Sequence, residues 1–231
     1  MPKILLIETS TALCSVAVSI DGNVVSSKRD ASRSHASLTA VFCNETLQEA
    51  SLGASDLDAV CISEGPGSYT GLRVGLSTAK GLCFGAGIRL LSVSSLDVLQ
   101  AMGVRLAGQE KVNMTIPMID ARRMEVYTAR YDTDGKRVTP IEAKVVDENT
   151  FLDVCPGTLF IGDGTLKCRK TIESSLGSNA GMLFIDTCPD AADMAALAEK
   201  EYAAGNFRDV AYFEPFYLKD FVATVPKKKL F

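Results

Sequence analysis

A glycine-rich loop between a strand-like and a helix-like segment constrains this chain more than any other feature. Residues 59–63 are typical of a buried strand, and residues 64–73 read Glu-Gly-Pro-Gly-Ser-Tyr-Thr-Gly-Leu-Arg. A helix-like pattern follows to about residue 86. Three glycines and a proline at this junction indicate a tight turn or a close approach of the backbone to another group. The sequence therefore predicts a strand, a bent loop and a helix in direct succession.

The same loop can be interpreted either as a binding site or as a turn. A helix that begins here directs unpaired N–H groups and the positive end of its dipole into the loop, where they can hold an anion. No Lys-Ser or Lys-Thr pair follows the last glycine, so the loop is not the phosphate loop of the nucleoside triphosphatases. The candidate anion-binding residues of the loop are Gly65, Gly67, Ser68 and Gly71. Thr9 and Ser10, after the first predicted strand, either cap a turn or line a cleft.

The order of the predicted elements occurs twice along the chain. The first half predicts strands at 3–9, 13–20 and 23–30, a helix at 34–51, a strand at 58–63, a helix at 70–86, a strand at 89–93 and a helix from residue 94 or 95. The second half predicts strands at 112–119, 125–131 and 136–146, a strand at 158–161, a helix at 165–174, a strand at 182–185 and a helix at 190–204. This repeat predicts an α/β fold of two lobes, each a mixed β-sheet with flanking helices. We place the lobes at 1–104 and 105–231.

Residue counts exclude several kinds of chemistry. The only histidine is His35, so a site with several histidine ligands cannot form and a Ser-His-Asp triad could use only this residue. Seven cysteines without a CxxC pair favour small buried side chains in a reducing compartment. The net charge of −4 argues against a chain that binds nucleic acid by itself. No apolar run is long enough to span a membrane, so we expect a cytoplasmic protein without a membrane contact.

Five segments occur in one order along the chain, and together they are similar to one family. They are 4–11 (ILLIETST), 34–36 (SHA), 65–73 (GPGSYTGLR), 93–96 (VSSL) and 119–127 (IDARRMEVY). This set resembles the TsaB (YeaZ) family, which belongs to the bacterial machinery that makes N6-threonylcarbamoyladenosine at position 37 of tRNA. The resemblance covers nearly the whole chain and is strongest over residues 1–127.

The resemblance implies both a fold and an assembly. The fold is actin-like and sugar-kinase-like (the ASKHA fold), with two lobes. The partners are TsaD, which carries the transfer chemistry and forms a heterodimer with this subunit, and the ATPase TsaE, which joins the larger complex. Alone, the chain would form a homodimer, and it would contact tRNA only indirectly.

The resemblance also implies that this subunit is not catalytic. TsaD holds a metal through two histidines four residues apart on a helix, which is one helical turn. The matching stretch here is 94–99, which supplies serine and leucine instead. Glu8 stands where an aspartate is usual, and in related kinases that acidic group lies near the phosphates and their magnesium. We therefore expect no metal and no cofactor.

The resemblance assigns the subunit contact to the helices at 34–51 and 70–86. The second helix carries apolar residues around more than one face, with glycines between them, which favours burial on two sides. The expected interface residues are His35, Leu38, Val41, Phe42, Leu72, Arg73, Leu76 and Lys80. A C-terminal segment at about 212–231 is expected to pack back on the first lobe.

Other functions stay open at this point. The chain could be an ATPase or small-molecule kinase that uses the cleft between the lobes, or it could bind a nucleotide without turning it over. A glycoprotein-directed peptidase, an older interpretation of this family, has the least support because there is one histidine and no metal pair. In the second lobe Asp120, Arg122 and Glu125 lie between two predicted strands. A catalytic carboxylate pair is conceivable there, but an Arg–carboxylate ion pair that braces the turn is favoured.

Overall fold

A computed structural model describes residues 1–32, 35–177 and 181–219 of the chain. Ser34, at the predicted start of the first helix, and residues 220–231 of the predicted C-terminal segment lie outside the described residues. Within the described ranges, no helix has the length and apolar character that crossing a membrane requires.

The first lobe is built on a five-stranded mixed sheet. Its elements are β1 (Lys3–Glu8), β2 (Cys14–Ile20), β3 (Asn23–Asp30), α1 (His35–Glu49), β4 (Ala59–Gly65), α2 (Tyr69–Ala86) and β5 (Arg89–Ser94), with a short 3-10 turn at Ala54–Asp56. The strand order is β3-β2-β1-β4-β5. Strand β2 pairs antiparallel with β1 and β3, and β4 pairs parallel with β1 and β5. The central strand β1 is buried on both faces, as its continuous apolar sequence indicates.

The second lobe repeats this plan. Its elements are α3 (Ser95–Ala107), β6 (Met114–Asp120), β7 (Glu125–Thr128), β8 (Glu142–Val145), β9 (Thr158–Ile161), α4 (Thr165–Leu176) and β10 (Leu183–Ile185). The strand order is β10-β9-β6-β7-β8, in which β7 is antiparallel to β6 and β8 while β9 is parallel to β6 and β10. Each lobe is therefore a three-stranded meander extended by two parallel strands, which confirms the predicted fold class.

One predicted strand of the second lobe is shorter than expected. The sequence predicts a strand at 136–146, but regular pairing covers only Glu142–Val145, with an isolated bridge between Tyr131 and Arg137 before it. Pro140 interrupts this run, and because proline has no N–H to donate, the ladder cannot continue through it.

The C-terminal helix covers the first sheet rather than the second. A 3-10 turn at Ala191–Met194 leads into α5 (Ala195–Ala203), where the sequence predicts one helix that completes the second lobe. Ala191, Met194 and Ala198 are buried against Ile4 and Leu6 of β1. Alternate residues of β1, Leu5 and Ile7, face α1 and α2 instead, so each face of the sheet has its own helical layer. Residue 104 lies inside α3, and the boundary proposed there stays a prediction.

Candidate functional site

The glycine loop packs against the loop that follows β1. A Cβ atom on Gly67 would overlap the carbonyl oxygen of Ser10, and one on Gly71 would overlap that of Thr9. The backbone N–H of Ser68 donates to the Ser10 carbonyl at 2.6 Å, and the Thr9 hydroxyl donates to the Gly71 carbonyl at 2.9 Å. The close approach for which these glycines are needed is thus to the chain's own backbone.

Gly65 has a different structural reason to be glycine. Its φ is +107°, a conformation that other residues rarely adopt. A Cβ atom there would also lie 3.0 Å from the carbonyl oxygen of Phe216, because the C-terminal segment crosses at this point. The sequence offered no signal for that second contact, since the two residues are far apart along the chain.

A cleft of about 640 Å³ lies between the lobes. It is lined by Ser10, Thr11, Ala12, His35, Ala36, Ser68, Tyr69, Thr70, Gly71 and Val74 of the first lobe, Ile119, Asp120, Ala121, Arg122, Tyr127 and Asp163 of the second, and Lys219. Four of the predicted residues, Ser10, His35, Ser68 and Gly71, therefore come together at one wall. Thr9 lies behind that wall and is buried, while Gly65 and Gly67 are not among the lining residues.

Buried carboxyl groups lie at the cleft in both lobes. Glu8 is fully buried at the end of β1, and burial raises its pKa to about 7, even though its Oε1 accepts the Ser10 N–H at 2.6 Å. In the other lobe Asp163 lines the cleft, and burial raises its pKa to about 6 while its Oδ1 accepts the Asp120 N–H at 2.8 Å. The two groups therefore hold protons near neutral pH more tightly than ordinary carboxyls do.

Two lysines beside the cleft are paired with carboxylates of the second lobe. Lys167 binds Asp120, and Lys219 binds Glu125. The predicted Arg–carboxylate pair is wrong, because Arg122 donates its backbone N–H to Asp120 at 2.7 Å and its guanidinium takes part in no ion pair within the described ranges. Arg122 has a φ of +73°, in the left-handed region that non-glycine residues rarely adopt.

His35 is held by the backbone at the cleft. Its Nε2 lies 2.9 Å from the carbonyl oxygen of Thr11 and donates to it. This hydrogen bond orients the imidazole at the start of α1. This geometry agrees with the role of a first-turn or contact residue.

The eight expected interface residues on α1 and α2 differ in how much of each side chain a partner could reach. Leu72 and Leu76 are buried in the first lobe's core, with 1 % and 7 % of their surface exposed. Leu38 and Phe42 are half-buried, and Val41 is 46 % exposed. Arg73 is exposed and donates to the Tyr69 hydroxyl, whereas Lys80 donates to the carbonyl of Ala211. A partner could contact Val41 and Arg73 directly, but not the two buried leucines.

Small residues complete this face, and of these the sequence analysis included the glycines of α2 but not the small residues that line the groove beside them. A groove of about 380 Å³ between the helices is lined by Ala36, Tyr69, Thr70, Arg73, Val74, Ser77 and Thr78. Gly81 and Gly85 continue the α2 stripe, and nothing in the described chain lies within 4 Å of a Cβ atom at either position. The sequence did contain a signal for this face, because small residues recur every three or four positions from Thr70 to Gly81, which places them on one side of the helix.

Residues 94–99, which the sequence analysis compares with the metal-binding helix of TsaD, make structural contacts in this chain. Ser94 caps α3 by accepting the N–H of Leu96, and Ser95 exchanges a hydrogen bond of 2.7 Å with Ser63. Leu96 and Leu99 are fully buried in the core of the second lobe. Across the described ranges, no cluster of three or more His, Cys, Asp or Glu side chains is arranged to hold a metal ion.

Comparisons with known proteins agree on one family. The model of the family described as "TsaD: tRNA N6-adenosine threonylcarbamoyltransferase" matches residues 20–227. Two relatives are named tRNA threonylcarbamoyladenosine biosynthesis protein TsaB. The one from Escherichia coli is 29 % identical and covers 96 % of both chains. The one from Bacillus subtilis is 30 % identical and covers 94 % of this chain and 93 % of its own.

Solved structures agree with this result. YeaZ from Pseudomonas aeruginosa is 26 % identical, with a TM-score of 0.80 over 94 % of this chain and 100 % of its own. An activator of 2-hydroxyisocaproyl-CoA dehydratase from Clostridium difficile, solved with bound ADPNP, is 10 % identical with a TM-score of 0.52, over 88 % of this chain and 97 % of its own. This second likeness concerns the fold alone, and it agrees with the expected actin-like architecture.

Proposed function

Because this chain belongs to the TsaB (YeaZ) family, whose relatives are named for tRNA threonylcarbamoyladenosine biosynthesis, we propose that it is a non-catalytic assembly subunit of that pathway. It binds TsaD through the exposed face of α1 and α2 and supports it in the transfer reaction. TsaE joins this pair in the larger complex, and tRNA is contacted through TsaD. In isolation the chain pairs with a second copy through the same face, and it works in the cytoplasm.

The observation that carries this proposal is the composition of the α1–α2 face. Gly81 and Gly85 lie on the exposed side of α2, where each glycine costs about 1 kcal/mol relative to alanine. No neighbour within the described chain accounts for them. Small residues on a helix allow a second helix to approach closely, and the groove beside Val74 and Ser77 provides room for its side chains.

The chemistry of the cleft supports a non-catalytic role. The positions that match the metal ligands of TsaD carry serine and leucine, which cannot replace imidazole. Lys167 and Lys219 are paired with carboxylates, so among the described residues of the cleft Arg122 is the arginine or lysine left to attract a polyphosphate. Both features favour assembly over turnover.

Sedimentation of the purified chain, alone and mixed with TsaD of the same organism, tests the proposal. We expect a homodimer alone and a heterodimer in the mixture. Ser77→Arg places a long charged side chain in the groove and should abolish both species without unfolding the chain, because Ser77 is exposed. Ser174→Arg on the exposed side of α4 is the matched control. Absence of any association with TsaD would contradict the proposal.

The second candidate is a nucleotide-binding ATPase or small-molecule kinase. The specific observation in its favour is the interlobe cleft, whose volume of about 640 Å³ falls in the usual range for ligand pockets. It predicts magnesium-dependent ATP hydrolysis by the isolated chain, and calorimetric titration with ATP is the direct measurement. A hydrolysis rate that disappears in Arg122→Ala at the cleft wall would favour this candidate over assembly.

A further inference from the structure

The exposed aromatic side chains of the described residues share one region of the surface. They are Phe84, Tyr212, Phe216 and Tyr217, with exposed fractions of 87 %, 85 %, 41 % and 37 %. One lies in α2, and three lie in residues 209–219. From here on this described stretch is called the C-terminal segment, and it begins slightly before the segment predicted at about 212–231. Exposed rings cost free energy in water, and aromatic residues are enriched where protein partners bind.

The C-terminal segment runs beside α2 in the opposite direction. At one end Lys80 donates to the Ala211 carbonyl at 3.0 Å, and Phe84 follows one helical turn after Lys80. At the other end the Tyr217 ring lies 5.0 Å from the Tyr69 ring in the first turn of α2. Phe84 and Tyr212 are therefore each close in sequence to one partner of the Lys80–Ala211 contact.

Buried contacts anchor this segment firmly. Val210 and Phe213 pack on the core cluster that includes Leu76 and Cys83 of α2. The N–H of Phe216 donates to the carbonyl of Glu64 at 2.8 Å, at the end of β4. The backbone is thus held in place while the intervening rings remain in solvent, which is the pre-organised arrangement that favours binding.

The α1–α2 face alone is poor in residues that supply binding energy. Its exposed residues are mostly small, such as Ala36, Ala40, Ser77 and Gly81. A standard interface uses about 20–30 residues from each side, and a few aromatic or arginine side chains supply most of its energy. Of these side chains the helices offer Arg73 and Phe84, and the C-terminal segment adds the rest.

We propose that α2 and the C-terminal segment form one docking surface for TsaD, on which Phe84 and Tyr212 are the anchoring side chains. This inference rests on the proposed function, in which TsaD contacts the α1–α2 face. The partner presents apolar pockets to the two rings and acidic groups to α2, because α2 carries Arg73 and Lys80 and no carboxylate.

Charge favours a partner that presents acidic groups to this surface. In the twofold homodimer proposed for the isolated chain the same face meets itself, so the two cations of α2 lie opposite the same cations, and an acidic partner is preferred over the second copy. Single-stranded RNA can stack on exposed rings, but Asp209 and Glu214 in the segment would repel its phosphates.

Affinity measurements with purified TsaD test the proposal. Phe84→Ala and Tyr212→Ala should each weaken binding about tenfold or more, because truncating an anchoring ring removes most of its contacts with the partner. Both side chains are almost fully exposed, so circular dichroism and thermal unfolding should be unchanged. Leu166→Ala, which truncates a 67 % exposed side chain on α4, is the matched control and should bind like the wild type.

The outcomes separate this inference from the proposed function. If the two ring variants bind TsaD normally while Ser77→Arg does not, the docking surface is refuted and the α1–α2 contact stands. If none of the three variants weakens binding to TsaD, both the docking surface and the proposed α1–α2 contact are refuted. A third outcome is that the ring variants bind TsaD normally but lose self-association or affinity for an unstructured RNA. That result would assign the rings to another partner and would also overturn the proposal.

Discussion

At the scale of single residues, the carboxyl group of Glu8 has the most unusual environment in the first lobe. Its side chain is fully buried, Oε1 accepts one N–H, and no hydrogen-bond partner of Oε2 occurs among the described residues. Burial without full compensation disfavours the charged form and raises the pKa. The group is therefore a source of pH-dependent stability rather than a preformed ligand for a cation.

Glu8 should make the folded state less stable as pH rises from about 4.5 to about 7. In this window the folded state keeps the proton that the unfolded state releases, so the free energy of unfolding falls, by up to about 3 kcal/mol for a shift of this size. Urea unfolding at pH 5 and pH 8 should show a smaller decrease for Glu8→Gln than for the wild type. Exposed Glu148→Gln is the control, and equal pH dependence of all three proteins would refute the assignment.

Two glycines of α2 should respond in opposite ways to the same substitution. Gly71→Ala forces a Cβ atom into the Thr9 carbonyl and should destabilise the fold by about 3 kcal/mol, since neither backbone can retreat. Gly81→Ala meets no neighbour and should stabilise the isolated chain by about 1 kcal/mol. Thermal unfolding measures both. A destabilised Gly81→Ala would mean that this position is already packed within the chain.

At the scale of elements, α2 shows how one helix serves two surfaces. Ser68 caps it by accepting the Gly71 N–H, and Gly87 ends it at a φ of +69°. Leu72, Leu76 and Ala79 face the sheet, whereas the other side presents small residues and Phe84. The apolar residues around the whole helix predicted burial on two sides, but the structure shows that the leucines serve the core.

A substitution in α5 can test whether the C-terminal part of the chain is an integral part of the first lobe. Ala198 is fully buried against the first sheet, so Ala198→Leu would overpack the site and should cost about 1–3 kcal/mol. Hydrogen exchange should then show weaker protection of β1, which lies beneath this helix. Ala203→Leu, at the exposed end of α5, is the matched control. Unchanged stability of Ala198→Leu would mean that α5 is not docked as described.

At the scale of the whole molecule, the chain visits the lobes in the order first, second, first. After β10 it returns through α5 to the back of the first sheet, and the C-terminal segment then crosses α2. Lys219 finally binds Glu125 of the second lobe and lies 5.8 Å from the ring centre of Tyr127. The segment that carries three of the exposed rings is therefore connected to both lobes.

The amino-acid sequence by itself determined the local elements, the fold class and the family. Continuous apolar runs, serine caps and glycine breaks specify strands and helices through contacts between near neighbours, and the order of five short motifs identified the family. The glycine loop was found by the same means, because a strand-to-helix junction with three glycines requires a close backbone approach.

Only the tertiary structure decided what those glycines approach, which apolar residues of α2 are buried, and where the C-terminal segment lies. Gly67 meets Ser10, Phe216 meets Glu64 and α5 meets β1, and each pair joins residues that are distant in sequence. Local propensity does not encode such pairs, since their free energy comes from surface removed from water when separate elements pack together. The tertiary structure also decided that Lys167 and Lys219, rather than Arg122, pair with the carboxylates of the second lobe, because it brings these residues together from distant parts of the chain.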